Sequence, residues 1–178
     1  MKNTLKLMLA ILFVFGMFAC GEKKLTEKDM LEAEATLFNE DRTMNFETAP
    51  TVAEKYCKFV EQNPNDPKAP IWLFHAMEIN ITLKDSDKSI ELGNQLLEQY
   101  PESQCAPQTL FLLANYVYDE QLHDLDMARA TYERIINEYP DSGFVDDAQK
   151  SIEYLGLTPE EIMSIISLSN MEVEEGEF

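Results

Sequence analysis

The sequence predicts an all-α fold: a row of helical hairpins, each too apolar on one face to stand alone. Three observations predict it. One phrase recurs, as NQLLEQYPES at 94–103, as ERIINEYPDS at 133–142 and as a diverged CKFVEQNPND at 57–66. The aliphatic runs are long and weakly β-branched, with only 6 Gly and 8 Pro in the chain, which favours helix over sheet. The 178 residues are 45% hydrophobic, enough for one globular domain or a short repeat array.

The first six residues are short and basic, and residues 7–19 are thirteen consecutive apolar or small residues. That run is too short to span a bilayer and has the length of the apolar core of a secretory signal. Cys20 follows at once, and then the polar GEKK. Ala19 and Cys20 resemble the cleavage site of bacterial lipoproteins, with Met17 and Phe18 departing from the usual residues there. The resemblance implies that residues 1–19 are removed and that Cys20 carries the lipid (palmitate and its like), with 20–25 a lipidated tether. Two or three acyl chains anchor stably, since each buried methylene contributes about 0.8 kcal/mol. Gly21, where an Asp would imply retention at the inner membrane, implies an outer-membrane lipoprotein; the periplasmic side is expected, with exposure at the cell surface as the alternative. An ordinary secretory peptide or a short uncleaved anchor are the alternatives.

The recurring phrases align on Pro64, Pro101 and Pro140. Sixteen residues before each proline stand Thr48, Asp85 and Asp124, and two residues after each stand Asp66, Ser103 and Ser142. All six are of the types that cap helix N-termini, each cap contributing about 1 kcal/mol. The spacing predicts the same punctuation in every unit: cap, helix, proline stop, cap, next helix. Residues 71–83 and 109–117 are apolar on most sides and are expected to be buried helices. Stacked hairpins would cover one another's apolar faces, which accounts for the repetition.

Helical hairpins of this length, closing on an aromatic residue and a proline, resemble tetratricopeptide repeats. In the middle unit Trp72, Ala76 and Ile79 take the family's first-helix places, and Ser89 and Gly93 the second-helix places before Pro101. In the last unit Leu110, Leu113, Ala114 and Val117 precede Ala128, Tyr132, Ile135 and Pro140. In the first, Leu31, Ala35 and Phe38 precede Val52, Tyr56, Phe59 and Pro64. His75 and Gly93 depart from the family pattern, and the units are three to five residues too long, a surplus expected in the turns around Lys84 and 121–123.

The resemblance implies a right-handed α-solenoid of about three hairpins over 26–156 (26–64, 65–101, 102–140), closed by a capping helix at 142–155. Trp72, Ala76, Ala114, Ala128 and Tyr132 would form the repeat core. A further amphipathic helix is expected over 157–170, begun by Thr158, Pro159 and Glu161 and striped by Ile162, Ile165 and Ile166. An acidic disordered tail is expected over 171–178.

Net charge is −19, with two lysines and no acid in the first twenty residues. So acidic a body repels nucleic acid. No phosphate-cradling glycine loop, GxSxG, HExxH or paired CxxC occurs, so no enzyme, cofactor or metal is expected. His75 is expected to pack in the core, and His123 beside Asp124 and Asp126 belongs to a turn. Cys57 and Cys105 are expected as half-buried thiols without a disulfide.

What remains is a surface. The family's first helices line a groove that binds protein segments, which the resemblance carries to Leu73, Met77, Asn80, Phe111, Asn115 and Tyr118. The alternative at these positions is packing in the core. The expected function is a non-catalytic, lipid-anchored scaffold or adaptor at the bacterial cell envelope, with a protein partner of unknown identity and an open oligomeric state. A self-associating structural envelope protein is the alternative, and a small-molecule binder or unfamiliar enzyme a remote one.

Overall fold

The computed structural model describes residues 23–175, with side chains as far as Ser167. The expected signal segment and Cys20 lie outside the described residues, as do residues 176–178. Among the described residues there are eight α-helices and no strand. They are α1 (Glu27–Glu34), α2 (Ala49–Gln62), α3 (Ala69–Leu83), α4 (Ser86–Gln99), α5 (Cys105–Leu112), α6 (Leu125–Glu138), α7 (Val145–Tyr154) and α8 (Pro159–Glu175). A π-helical segment, Leu113–Gln121, continues α5 without a break. Each helix from α1 to α6 packs on the next, and the first helices α3 and α5 also touch each other. This is the all-α stacked-hairpin architecture of tetratricopeptide-like repeats.

The recurring proline phrase builds one turn three times. Asn63, Tyr100 and Tyr139 precede the three prolines and share one backbone conformation, with φ of −137°, −134° and −131° and ψ of 52°, 51° and 56°. A proline pushes the residue before it out of the helical region, so the helix ends there. The carbonyls of these three residues accept from the N–H groups of Asp66, Ser103 and Ser142, each at 3.0 Å. The Asp66, Ser103 and Ser142 carbonyls in turn accept from Ala69, Ala106 and Val145. Their side chains accept from the N–H two residues on: Lys68 at 2.8 Å, Cys105 at 3.2 Å and Phe144 at 3.2 Å. These three residues therefore shape the turn and do not cap the helix, because their side chains meet the backbone before the helix begins.

The caps expected on the second helices divide. Asp85 accepts from the Lys88 N–H and Asp124 from the Met127 N–H, both at 3.0 Å. Thr48 makes no such bond; its hydroxyl instead donates to the Thr36 carbonyl at 2.6 Å.

Counted from the shared turn, α3 and α5 are in register 37 residues apart. Ala69, Leu73, Ala76, Met77 and Asn80 then pair with Ala106, Leu110, Leu113, Ala114 and Val117, and all ten are buried. The register set by Trp72 is thus one residue off: Trp72 pairs with Thr109, and Leu73 holds the place of Leu110. The expected core residues Trp72, Ala76, Ala114, Ala128 and Tyr132 are nonetheless all buried, so the slip changes the partners each residue meets more than its burial. Gly93 on α4 explains its own departure from the aromatic expected there. A Cβ on it would lie 2.7 Å from Leu113 Cδ1 and 3.2 Å from Met77 Sδ, so the neighbouring first helices already fill that space.

The two residues by which the last unit exceeds the middle one do not sit in the turns. Lys84 and His123 are both left-handed (φ 60° and 54°), and each is followed directly by its capping aspartate. Pro64 and Asp85 are 21 residues apart, whereas Pro101 and Asp124 are 23 apart. The extra two residues are absorbed by the π segment, where wider turns keep the backbone bonded, as in Leu122 N–H to the Val117 carbonyl at 2.9 Å.

Both ends differ from expectation. Helix α1 stops at Glu34, and 35–48 form a loop with one bridge between Phe38 and Met44. Polar side chains there take the backbone for themselves: Asp41 accepts from Thr43 N–H and Asn45 from Glu47 N–H. Leu31, Ala35 and Phe38 are exposed, and Met30, Ala33 and Leu37 supply the core instead. Leu25, expected in the tether, is bonded through its backbone to Gln62 and Asn63.

At the other end, Gln149 and Glu153 of α7 occupy the places of Leu110 and Ala114 and are exposed, which suits a terminal unit with nothing stacked on it. Gly156 (φ 80°) ends this unit, and Thr158 with Glu161 forms the expected capping box. Helix α8 runs to Glu175, through the start of the stretch expected to be a disordered tail. No Gly or Pro interrupts it between Pro159 and Gly176.

Candidate functional site

The face shared by the first helices α3, α5 and α7 carries two successive clefts, divided by the π segment. One, of about 560 Å³, lies between α5 with its π continuation and α7. Phe111, Asn115 and Asp119 form one wall, Asp147, Lys150 and Tyr154 the other, with Tyr132 behind them and Leu155, Leu157 and Ile162 at the lip. The second, of about 480 Å³, lies between α3 and the π segment, with Glu78 and Thr82 facing Leu112, Tyr116 and Glu120. Asn115 and Asp119, four apart, serve the first cleft; Tyr116 and Glu120, also four apart, serve the second. The π segment is therefore a ridge with a wall on each side.

The ring system around Phe111 fixes the larger cleft. Phe111 lies 5.6 Å from Tyr132 in an edge-on arrangement and 5.4 Å from Phe144. Such pairs contribute about 0.5–1.5 kcal/mol beyond burial. The Tyr132 hydroxyl donates to Asn115 Oδ1 at 3.4 Å, which holds the amide at the cleft wall. Burial pushes the Tyr132 phenol up, so it stays a neutral donor.

The six residues expected to line a groove divide sharply. Phe111 and Asn115 line the larger cleft. Leu73 and Met77 are fully buried and belong to the core, a consequence of the one-residue slip in register. Asn80 is 8% exposed, donates to the Ala76 carbonyl at 2.7 Å, and opens on the opposite side, into a cleft between α2 and the start of α4. Tyr118 is half-buried, its phenol pushed up by burial, and lines neither first-helix cleft. The residues that sequence reasoning missed are Glu78, Leu112, Tyr116, Asp119, Lys150 and Tyr154. Shifting the middle unit by one residue would have found Glu78, which pairs with Asn115.

A cleft of about 940 Å³ lies between the turns at Pro64 and Pro101, and a smaller counterpart lies between those at Pro101 and Pro140. Two hydroxyls line the first of these and both are engaged: Tyr100 donates to the Pro64 carbonyl at 2.9 Å, and Ser103 accepts from the Cys105 N–H at 3.2 Å. These clefts follow from the repeated turn and present mainly prolines and turn backbone.

His75 is half-exposed beside Trp72, Phe74 and Tyr56, and its Nδ1 donates to Glu78 at 2.8 Å. His123 Nδ1 donates to the Asp119 carbonyl at 3.0 Å. No group of three or more His, Cys, Asp and Glu that could hold a metal occurs among the described residues. Cys57 and Cys105 are free and half-buried, and burial pushes both thiols up, away from the reactive thiolate. No helix among the described residues is long and apolar enough to cross a membrane.

Residues 108–142 match the tetratricopeptide-repeat family model. The match takes in most of α5, the π segment, α6 and the turn at Pro140, that is, the unit that forms the ridge and one wall of the larger cleft. The protein thus contains a tetratricopeptide repeat, a module whose general role is to mediate contacts between proteins. Neither curated proteins nor solved structures give a match to the chain.

Proposed function

We propose that the protein is a non-catalytic scaffold, anchored by lipid at Cys20 to the bacterial outer membrane and facing the periplasm, which holds a segment of a partner protein on its first-helix face. The observation that carries this reading is the larger cleft. Phe111 and Tyr154 offer aromatic surface there, Asn115 is oriented by Tyr132, and Asp119, Asp147 and Lys150 have no ion pair within the described residues. Aromatic anchors among adaptable polar groups suit an extended or helical protein segment. A crosslinking amino acid at position 115 tests it in cells. A discrete adduct that disappears with Phe111→Asp, while the same label in place of exposed Glu98 on α4 yields none, is the expected result; equal labelling from both positions contradicts it. For the anchor, Cys20→Ser should move the protein from the membrane to the soluble fraction, and unchanged membrane association would overturn that part.

A second reading is self-association through α8, favoured by the exposed Met163, Ile165 and Ile166 (71%, 36% and 44% exposed). Sedimentation of the mature chain without its lipid decides it: a monomer at all concentrations removes it.

A further inference from the structure

We propose that the two first-helix clefts form one groove for a cationic amphipathic segment of a partner protein, laid across the π ridge. This rests on the reading that the first-helix face holds a partner, and adds that partner's chemistry.

The groove offers apolar surface in its middle and carboxylates at its edges, and its two cations are Lys84 in the smaller cleft and Lys150 in the larger. Phe111 and Leu112 sit side by side where α5 passes into the π segment, one opening to each cleft, and Tyr116 is 41% exposed one turn on. Asp119 and Glu120 follow on the same two sides, and Asp147 faces Asp119 across the larger cleft. None of these three carboxylates has an ion pair within the described residues, although the chain makes such pairs elsewhere, as between Arg134 and Glu138. The two-residue excess of this unit lies in the segment that carries Asp119 and Glu120. Counted from the shared turn, the middle unit has Thr82 and Leu83 at these places.

Charge selects among occupants. From residue 69 onward the chain has 22 Asp and Glu against 5 Lys and Arg, whereas 21–68 has 11 against 7. The potential over the groove is therefore negative well beyond its own side chains, which draws a cationic segment and raises its rate of encounter. The same field opposes a second copy of this chain, and it opposes the acidic far end of α8 (Glu172, Glu174 and Glu175), whose first turn already borders the larger cleft at Ile162. A lysine- or arginine-bearing segment with apolar residues on one side satisfies both halves of the groove.

The test uses the mature chain without its lipid and two synthetic helical peptides with identical apolar residues, one bearing lysine and the other glutamate at its polar positions. Nuclear magnetic resonance titration should show saturable shifts confined to 78–84, 108–121 and 145–155 with the lysine peptide and none with the glutamate peptide. Asp119→Asn, Glu120→Gln and Asp147→Asn together should weaken the lysine peptide by about tenfold or more, while Glu98→Gln with Glu133→Gln on the second helices leaves binding unchanged. Shifts spread over the whole surface, equal response to the glutamate peptide, or equal loss in both variants would overturn the proposal. Adducts from position 115 in cells without lysine-peptide binding would reject the cationic partner and keep the face; no adducts from that position would reject the face itself.

Discussion

Helix α3 and the combined α5–π helix begin from the same kind of turn and end in the same kind of cap, yet one is two residues longer and lines both first-helix clefts where the other lines only one of them. Both bury the same places, from Ala69 and Ala106 to Asn80 and Val117. The turn is held by two backbone bonds and one side-chain bond in every unit, so it has no freedom to take up extra residues. The helix does: wider turns keep each N–H bonded while turning the later residues out of the core register. Length that would loosen a turn instead builds a ridge. Gln121, at the end of that ridge, donates to the Ile81 carbonyl and accepts from Ser86, tying the longer helix back to the middle unit.

The comparison breaks first at its core. Leu73→Ala and Leu110→Ala remove equivalent, fully buried side chains, and each should cost about 2–5 kcal/mol in denaturant unfolding, by similar amounts. A near-neutral Leu73→Ala would restore the register set by Trp72. Next comes the close approach of α4 to the longer helix. Gly93→Ala places a methyl against Leu113 and Met77 and should cost about 1–3 kcal/mol, with part of that loss recovered when Leu113→Ala is added. Smaller still are the caps. Asp85→Ala and Asp124→Ala should each cost about 1 kcal/mol, and equal values would show that the longer helix hands over to its partner as the shorter one does.

One further effect is absent at neutral pH and appears only in alkali. Burial pushes the Tyr56 phenol up to about 12, above its ordinary value near 10. The fold holds the neutral form, so this stabilisation is complete below pH 10 and is lost as pH rises from 10 towards 12. Tyr56→Phe should flatten that decline in a series of unfolding curves, and an unchanged slope would reject Tyr56 as its source.

Much of this was legible in the chain. The proline phrase marked every turn, and Asp85 and Asp124 marked two helix starts because an aspartate before an apolar run has few other roles. Fold class followed from helical periodicity and repetition. The errors have physical causes. Trp72 set the middle register because a lone tryptophan looks like an anchor, whereas burial places Leu73 opposite Leu110. The surplus was assigned to turns because spacing alone cannot tell a longer turn from a wider helix. Thr36, Asp41, Thr43 and Asn45 ended α1 early by bonding to the backbone and to one another, a competition that apolar spacing does not register. Phe111 and Asn115 were legible as cleft residues because the last unit kept its family register, and Leu73 and Met77 were not because the middle unit had slipped.

All of this depends on hairpins that share one core and leave the first-helix face free. Hydrogen exchange of residues 21–178, read by mass spectrometry, tests that most directly. The account predicts that α3, α4, the α5–π helix and α6 open together with a single free energy, while 35–48 and α8 exchange far faster. Loss of protection in the α5–π helix and α6 while α3 and α4 remain protected would mean independent units, and would contradict it.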